Sequence, residues 1–535
     1  MRLLLLIVLP IISGLIAYTL PSIKGKNSTI VIQITSLVLA VYNFKEVLES
    51  GPYSIVVGNY KRVAGISLTA DLLSSTMILL TAFTFLLCII YARNNTRLES
   101  HFFFLYLVLQ SSMTALFITR DLFNIFVIIE VCTIIVAILI MYKNEHSLYD
   151  SLIYLMNNAV AMSFFALGIS LLYKNLYSLN LDVLMERMGE TQLTGSYMAA
   201  YAMLLTGIGF KCALMPMFSW LPRAHAAKGV PTAVSAILSG LYIKTGVFVF
   251  IRLRDLFLPI INIDNYLLLV AVITSLIGVR LAIRQKNIKL ILAYHTISQV
   301  GLIMVGLLVN DYNSQNGAIY HLINHAVFKS TLFLCAGIYM DYYGHKNIKG
   351  MKGAFKSLPI VSMACLFAVF GITGAPFFNG SISKYFIQYG TKGSLVEYAI
   401  ILINTGTIIS FLKFFSMMSG SQVEPVSGYR SCRFKNTAVV ILGVTCLLGG
   451  VLARQIMGTI FNFENLVDPE IYLSKAIIYF TTLGVCWVLY RKKKLNFIIS
   501  DDKKTMTLSF NGISVMTCTF FMVTTIAIYF TNILK

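Results

Sequence analysis

Five lysines and one glutamate lie inside long apolar stretches of the chain, where a charged group is energetically costly. They are Lys211, Lys244, Lys329, Lys384, Lys413 and Glu130. A charge at the centre of a bilayer costs roughly 3 kcal/mol on insertion scales, so such residues normally face a protein interior or a water-filled path. A lysine removed from water also gives up its proton more easily than a solvated lysine. These residues therefore predict a path for protons.

A second group of ionisable residues follows a helical spacing. His321, His325 and Lys329 are four residues apart, which places them on one stripe of a helix. Histidine accepts and donates a proton near physiological pH, which suits a proton shuttle. Two histidines at this spacing could also bind a metal. Because no further carboxylate or cysteine is spaced to complete such a site, we expect no metal.

The buried carboxylate has two interpretations. Glu130 comes nine residues after Asp121, so Asp121 lies near the membrane surface and Glu130 well inside. A buried carboxylate stays charged only beside a cation, and Lys211 or Lys244 is the obvious partner. The alternative is a static ion pair that holds two helices together. Lys413 lies nearer the end of its apolar stretch, so it could instead extend its ammonium to the membrane interface.

Two apolar stretches are interrupted by glycine and proline. One runs through Lys211 to Pro216, and the other contains Gly374, Pro376 and Lys384. Glycine and proline break a membrane helix and free backbone groups to face a cavity. Each interrupted stretch carries a lysine, and the stretch after it carries another. Such a pair of breaks at corresponding places indicates an inverted repeat with a central site.

The composition sets the class of protein that must position these residues. Of the 535 residues 57% are hydrophobic and 12% are charged, against about 25% charged in soluble domains. Mean hydropathy is +0.79. About sixteen apolar runs, from residues 3–20 to residues 508–532, are each long enough to cross the hydrocarbon core. Backbone groups in lipid must be satisfied internally, so the sequence predicts an all-α polytopic membrane protein.

The net charge of +20 could suggest a nucleic-acid partner, but its distribution favours another reading. The basic residues concentrate in short loops on one side, among them residues 143–150, 284–289 and 341–357. This is the positive-inside pattern, so we expect those loops to be cytoplasmic and the N-terminus outside. The first run could be a signal peptide, but no small-x-small cleavage site follows it. We therefore expect an uncleaved span in a multi-pass protein of the inner (cytoplasmic) membrane.

Several classes of cofactor are not indicated. The nine cysteines include no C-x-x-C pair, and all but Cys432 fall in apolar segments, so no iron–sulfur cluster, zinc site or disulfide framework is expected. The chain has neither a phosphate-binding loop nor a convincing dinucleotide fingerprint. We expect no cofactor, and the driving energy must come from partner proteins or ion gradients.

At these residues the chain resembles the antiporter-like membrane subunits shared by respiratory complex I, Mrp-type sodium/proton antiporters and energy-converting membrane-bound hydrogenases. The resemblance covers roughly residues 65–420. Its motifs are Phe210-Lys211-Cys-Ala-Leu-Met-Pro216-Met-Phe-Ser-Trp220-Leu-Pro222-Arg-Ala-His225, Ser239-Gly-Leu-Tyr-Ile-Lys244-Thr-Gly246, Ala293-Tyr-His-Thr-Ile-Ser298-Gln-Val-Gly301, the stripe from His321 to Lys329, and Gly374-Ala-Pro376 through Ser383-Lys384.

The resemblance implies about fourteen core transmembrane helices that include two inverted five-helix repeats with two broken helices, plus about two extra C-terminal helices. We expect N-terminal helices in residues 1–100, repeats in 101–255 and 256–420, and C-terminal helices in 421–535. It also implies that Glu130 pairs with Lys211, that Lys244 and the histidine stripe pass the proton on, and that Lys384 is the terminal site.

The function implied is a proton-translocating subunit of a multisubunit, redox-driven membrane complex. One alternative is a subunit of an Mrp-type sodium/proton antiporter, and another is a structural subunit that pumps nothing. His225 and Asp121 are candidates for proton access or gating. The chain departs from the family pattern at Arg223, where many members are acidic, and the stretch from Ala226 to Pro231 is two residues longer than usual. Both departures affect the access region near His225.

Overall fold

The computed structural model describes residues 2–20, 22–63, 65–95, 98–461, 469–492 and 508–533. Most of these residues are helical. The N-terminal helices are α1 (Arg2–Thr19), α2 (Ser22–Ser50), α3 (Leu72–Ala92) and α4 (Ser100–Ile118). The next group is α5 (Leu122–Ile140), α6 (Leu148–Leu176), α7 (Leu181–Met188), α8 (Gly195–Lys211), α9 (Trp220–Ala226), α10 (Thr232–Ile237) and α11 (Ile243–Phe257).

The second half of the chain continues in the same way. It contains α12 (Asp264–Arg284), α13 (Ile288–Leu308), α14 (Tyr312–Tyr343), α15 (Ala354–Ser357), α16 (Pro359–Thr373), α17 (Asn379–Tyr389) and α18 (Leu395–Met418). The C-terminal helices are α19 (Arg433–Val451), α20 (Ala453–Phe461), α21 (Pro469–Arg491) and α22 (Phe510–Ile533). Two short strands, β1 (Tyr53–Val56) and β2 (Ser67–Ala70), form an antiparallel hairpin between α2 and α3.

The prediction of a polytopic helical membrane protein is confirmed. Among the described residues, fourteen helices are long and apolar enough to cross a membrane. The two remaining predicted spans are the interrupted ones: α8 and α9 divide the first, and α16 and α17 divide the second. The side on which each loop lies stays a prediction.

Acidic and amide side chains begin several of the membrane helices. The Asp71 carboxylate accepts a hydrogen bond from the backbone N–H of Ser74 at 2.8 Å, and Asp311 does the same for Ser314 at 2.7 Å. The first N–H groups of a helix have no partner within the helix, so such N-cap residues satisfy them. Caps of this kind explain why carboxylates stand at the ends of spans that otherwise exclude charge.

Asp71 also joins the hairpin side of the molecule to the helices. Arg120 lies 2.8 Å from its carboxylate, and Arg252 contacts the same oxygen. Burial acts to raise the pKa of Asp71, but Arg252, the backbone N–H of Ser74 and Arg120 together hold it below its usual value. The carboxylate is therefore charged at neutral pH and ties α3 to α11 and to the start of α5.

The most buried spans lie at the centre of the bundle. All of the most apolar 18 residues of α13 are buried inside the protein, and 94% of the corresponding residues are buried in α14 and in residues 232–257. By contrast, 11% of the most apolar 18 residues of α21 are buried, so α21 lies at the periphery. The central helices α11 and α14 carry four of the ionisable residues that the sequence singled out, Lys244, His321, His325 and Lys329.

Candidate functional site: a chain of buried polar groups

The first break positions Lys211 at the end of α8. Ala213 lies in the left-handed region with φ 51°, and the Met215–Pro216 peptide is cis. A left-handed conformation is unfavourable for residues other than glycine and is characteristic of functional sites. The indole N–H of Trp220 donates to the carbonyl of Phe210 at 2.8 Å and fixes α9 against the end of α8. The break therefore holds the lysine at a helix terminus inside the protein.

The ammonium of Lys211 contacts two hydroxyl groups. It donates to Thr133 Oγ1 at 2.6 Å and to the Tyr242 hydroxyl at 3.2 Å. The Tyr154 hydroxyl lies 2.7 Å from that of Tyr242. Lys211 is only 3% exposed. Its proton therefore has hydroxyl neighbours on α5, α6 and the helix that carries Lys244.

Glu130 lies one helical turn from Thr133 on α5, and its carboxylate accepts a hydrogen bond from the side-chain amide of Asn158 at 2.8 Å. The pair implied by the resemblance is not a direct contact. Within the described part of the chain, no ion pair joins Glu130 to Lys211. Glu130 is only partly buried, on a flank of α5 that also exposes Val127 and Ile134.

An irregular stretch of helix provides a hydrogen-bond acceptor for the Lys244 ammonium. Residues Leu238–Tyr242 form a π-helical turn between α10 and α11. The Lys244 ammonium donates to the carbonyl of Ser239 at 2.6 Å. A π-turn releases backbone carbonyls from the regular α-helical pattern, and such turns are frequent at functional sites. Lys244 is fully buried, and this contact is with a neutral carbonyl oxygen.

The histidine stripe lies on α14 in the centre of the bundle. His321 contacts Ser383 Oγ through Nδ1 at 2.8 Å and Gln299 Oε1 through Nε2 at 3.0 Å. The ring of His325 lies 6.5 Å from that of His321, centroid to centroid, and neither of its nitrogens has a described hydrogen-bond partner. Buried polar groups without protein partners are typically satisfied by water. Lys329 donates to the carbonyl of Leu292 at 2.7 Å.

The second break resembles the first. Gly374 ends α16 with φ +82°, and Phe377 is left-handed with φ 69° on the other side of Pro376. A Cβ at Gly374 would lie 3.2 Å from Cδ of Lys384, so glycine is needed both for the conformation and for the close approach. The ammonium of Lys384 donates to the carbonyl of Ile372, at the end of α16, at 2.7 Å.

The extra helix α21 covers this second break. The Tyr479 hydroxyl lies 2.8 Å from Thr373 Oγ1, and the backbone N–H of Phe377 donates to the Tyr472 hydroxyl at 3.1 Å. The ammonium of Lys475 lies 4.3 Å from the ring centroid of Tyr385. Polar groups that the break frees are thus satisfied by side chains of α21.

Lys413 differs from the other buried lysines in its contacts. Its ammonium donates to three carbonyls at the end of α12: Ala282 at 3.3 Å, Gln285 at 2.7 Å, and Ile283. The last carbonyls of a helix have no partner within it, and a cation there also complements the helix dipole. These contacts are those of a helix C-cap and not of an ammonium extended to the membrane interface, while the relay role of Lys413 stays a prediction.

The two access candidates lie at opposite ends of the membrane helices. Asp121 caps the start of α5, where burial raises its pKa in spite of backbone N–H bonds from Asn124 and Phe123. His225 lies on α9, fully buried, with its ring stacked on Phe333 at a centroid distance of 4.6 Å. The segment after α9 shares a cavity with the end of α5. Since α5 has 19 residues and is about 28 Å long, the two residues cannot serve one access point.

Several neighbours of the ionisable groups received no role from the sequence. They are Thr133, Tyr154, Asn158, Tyr242, Gln299 and Ser383. Tyr242, Gln299 and Ser383 lie within the motifs that carry the family resemblance, which was the available signal. Thr133 is one turn from Glu130. In the part of the chain that the structure describes, no group of three His, Cys, Asp or Glu side chains is placed to hold a metal.

Comparison with known proteins adds the family context. The family model described as NADH:quinone oxidoreductase/Mrp antiporter, transmembrane, matches residues 119–410. A component of the Na(+)/H(+) antiporter from Alkalihalophilus pseudofirmus is 28% identical over 456 residues, which cover 82% of this chain and 92% of the relative. The structure is similar to a chain of the Mrp complex from Dietzia, with a TM-score of 0.76, 21% identity, and coverage of 90% of this chain and 99% of that one. It is also similar to a chain of an archaeal membrane-bound sulfane sulfur reductase, with a TM-score of 0.78, 22% identity and the same coverage.

Proposed function

The chain belongs to the NADH:quinone oxidoreductase/Mrp antiporter transmembrane family, and on that premise we propose that it translocates protons as one subunit of a larger membrane complex. The protons move along a series of buried groups: Lys211, Lys244, Lys329, the histidines of α14, and Lys384. Glu130 lies at one end of this series, and Lys384 lies at the other end.

The observation that carries the proposal is the pattern of acceptors around the lysines. Lys244, Lys329 and Lys384 each donate to one backbone carbonyl, and in the described chain none has a carboxylate within ion-pair distance. An ammonium held by a neutral acceptor loses its proton more easily than one that pairs with a carboxylate, because burial disfavours its charge. A scaffold protein has no need of such lysines, whereas a relay requires them.

The connections between the lysines support a continuous route. Tyr242 contacts Lys211 and precedes Lys244 by two residues. At the other end, His321 contacts Ser383, which adjoins Lys384. Between them lies His325, whose unpartnered nitrogens favour bound water in the centre of the protein. Proton transfer between the two broken helices can therefore use hydroxyl, imidazole and water groups.

Glu130 is the group best placed to receive a signal from outside the chain. It lies on a partly exposed flank of α5, and a carboxylate exposed to lipid is costly. We infer that a partner membrane protein covers this flank and changes the field at Lys211 when it moves or changes charge. Moving one charge against about 100 mV requires about 2.3 kcal/mol, which a change of this kind can supply over a short distance.

Two driving reactions are compatible with this relay. The relative from Alkalihalophilus pseudofirmus belongs to a sodium/proton antiporter, and this supports the alternative in which sodium moves against protons. The similarity to a respiratory reductase complex concerns the fold alone, so it gives weaker support to a redox-driven complex. Of the two, we favour the antiporter.

The experiment is to express the chain together with its neighbouring genes in a host that lacks its own sodium/proton antiporters. Proton movement in inside-out vesicles is followed with a pH-sensitive dye after addition of sodium, and separately after addition of a respiratory substrate. We expect Lys211→Ala to abolish proton movement while the protein still assembles, with exposed Lys356→Ala as the matched control. Near-normal transport by Lys211→Ala would refute the relay.

A further inference from the structure

A cavity of about 580 Å³ opens at the end of the bundle where α5 and α14 finish and α13 begins. Its lysine and asparagine lining comes from two helices and three loops: Asn95, Lys143, Asn144, Lys289, Lys346 and Lys435. None of these residues belongs to the proton series. The cavity lies on the side predicted to face the cytoplasm.

Two of the four lysines are paired with carboxylates. Lys143 contacts the carboxylate of Glu99, and Lys435 lies 2.7 Å from that of Asp341, which also lines the cavity. The remaining two lysines form no ion pair among the described residues. Lys289 is 3% exposed and donates one hydrogen bond, to the carbonyl of Val230 at 3.0 Å, although an ammonium has three donors.

Lys346 is the second lysine of this pair, and Lys289 lies within electrostatic range of both Lys346 and the Asp341 carboxylate. Its side chain is partly buried, and among the described residues it has no hydrogen-bond acceptor or ion-pair partner. Burial and then the nearby Lys228 ammonium lower the pKa of Lys346, with no carboxylate to oppose them. Two ammonium groups held together in a partly closed space disfavour a further cation. They favour an anion instead.

Burial distinguishes this pair from the other basic residues of the same face. Lys349, Lys352 and Lys356 belong to the predicted cytoplasmic loop and are exposed to solvent, which is how positive-inside residues are usually found. Lys289 and Lys346 instead line a cavity to which two asparagine side chains also contribute. Amide N–H groups and ammonium groups are together the donors that phosphate oxygens accept from.

We propose that this cavity binds a phosphate group, held by Lys289 and Lys346, either as the headgroup phosphate of an anionic phospholipid or as free phosphate. Basic pockets between membrane helices on the cytoplasmic side bind headgroups in this manner. Lys289 lies within electrostatic range of His225, but neither Lys289 nor Lys346 is a member of the proposed proton series, so this inference does not depend on the proposed function.

The test uses the purified full-length chain in a neutral detergent. Heat unfolding is measured with added phosphatidylglycerol against phosphatidylcholine, and with inorganic phosphate against chloride at equal ionic strength. A ligand that binds the folded state raises the unfolding midpoint with its concentration. We expect a saturable rise with one of the two phosphate sources, and the arm in which it occurs identifies the source.

The variants are Lys289→Gln and Lys346→Gln, with exposed Lys356→Gln as the control for loss of one positive charge. Because a hydrogen bond to a charged group contributes about 1.5–3 kcal/mol, each cavity variant should bind roughly tenfold to a hundredfold more weakly, and the control should bind as the natural chain does. If Lys289→Gln does not fold, the comparison of Lys346→Gln with the control is sufficient for the test. The inference is overturned if neither source stabilises the natural chain, or if Lys346→Gln binds like the control.

Discussion

Replacing Lys413 by methionine should destabilise the protein without stopping proton movement. Methionine keeps the length and apolar stem of the side chain but removes the ammonium that three carbonyls at the end of α12 share. A hydrogen bond to a charged group contributes about 1.5–3 kcal/mol. Because the three acceptors share one ammonium and one contact is long, we expect a total loss of about 4 kcal/mol in the free energy of unfolding.

The matched variant is Lys329→Met, which removes an equally buried lysine with one carbonyl acceptor. That variant should lose about 1.5 kcal/mol on the same scale. Equilibrium unfolding in a detergent titration measures both losses, and the vesicle assay measures proton movement per folded molecule. Of the two variants, Lys413→Met should lose more stability and still transport protons. Lys329→Met should lose less stability and fail to transport protons. The reverse pattern, a stable Lys413→Met that fails to transport, would show that Lys413 belongs to the proton series.

Three further outcomes follow from the contacts. Gly374→Ala places a side chain at a left-handed position and should cost about 1–2 kcal/mol, seen as lower unfolding stability together with slower transport. Tyr479→Phe removes the bond from α21 to the second break and should cost about 1 kcal/mol, whereas Tyr529→Phe, at an exposed position on α22, should cost nothing measurable. Asp71→Asn removes the carboxylate that contacts the partly buried Arg252 and Arg120 and should cost about 3 kcal/mol. The pKa of Asp71 is lowered in the folded state, so the stability that its charge contributes is present above about pH 4 and is lost as the pH falls through the pKa of the folded protein. In the Asp71→Asn variant, the unfolding free energy should therefore depend less on pH below about pH 4.

The class of fold was predictable because membrane helices leave a strong signal in one sequence. Length and apolarity place each span, and glycine with proline marks the two breaks. The hairpin at Tyr53–Val56 and Ser67–Ala70 was not predicted, because strands of four residues carry little periodicity. The π-turn before Lys244 was missed for a related reason, since its sequence differs little from that of a regular helix.

The candidate site was predictable as a set of residues but not as a set of contacts. Energetic cost alone selected the buried lysines, and it selected Lys413 with the rest. Whether a lysine relays protons or caps a helix depends on the acceptors beside its ammonium, which come from distant parts of the chain. The same limit applies to Glu130, because one helical turn separates it from the threonine that Lys211 contacts.

The helices α21 and α22 also constrain how the chain is made. Thr373 meets Tyr479 106 residues later, and Arg223 donates to the carbonyl of Leu508 285 residues later. The second break and Arg223 therefore enter the membrane well before these partners have been synthesised, at about 5–20 residues per second, and Arg223 waits the longer. During that interval the polar groups that these partners later satisfy need water, a partner protein or an insertion factor. The polar contacts of the broken helices are thus completed only when the C-terminal segments have been inserted.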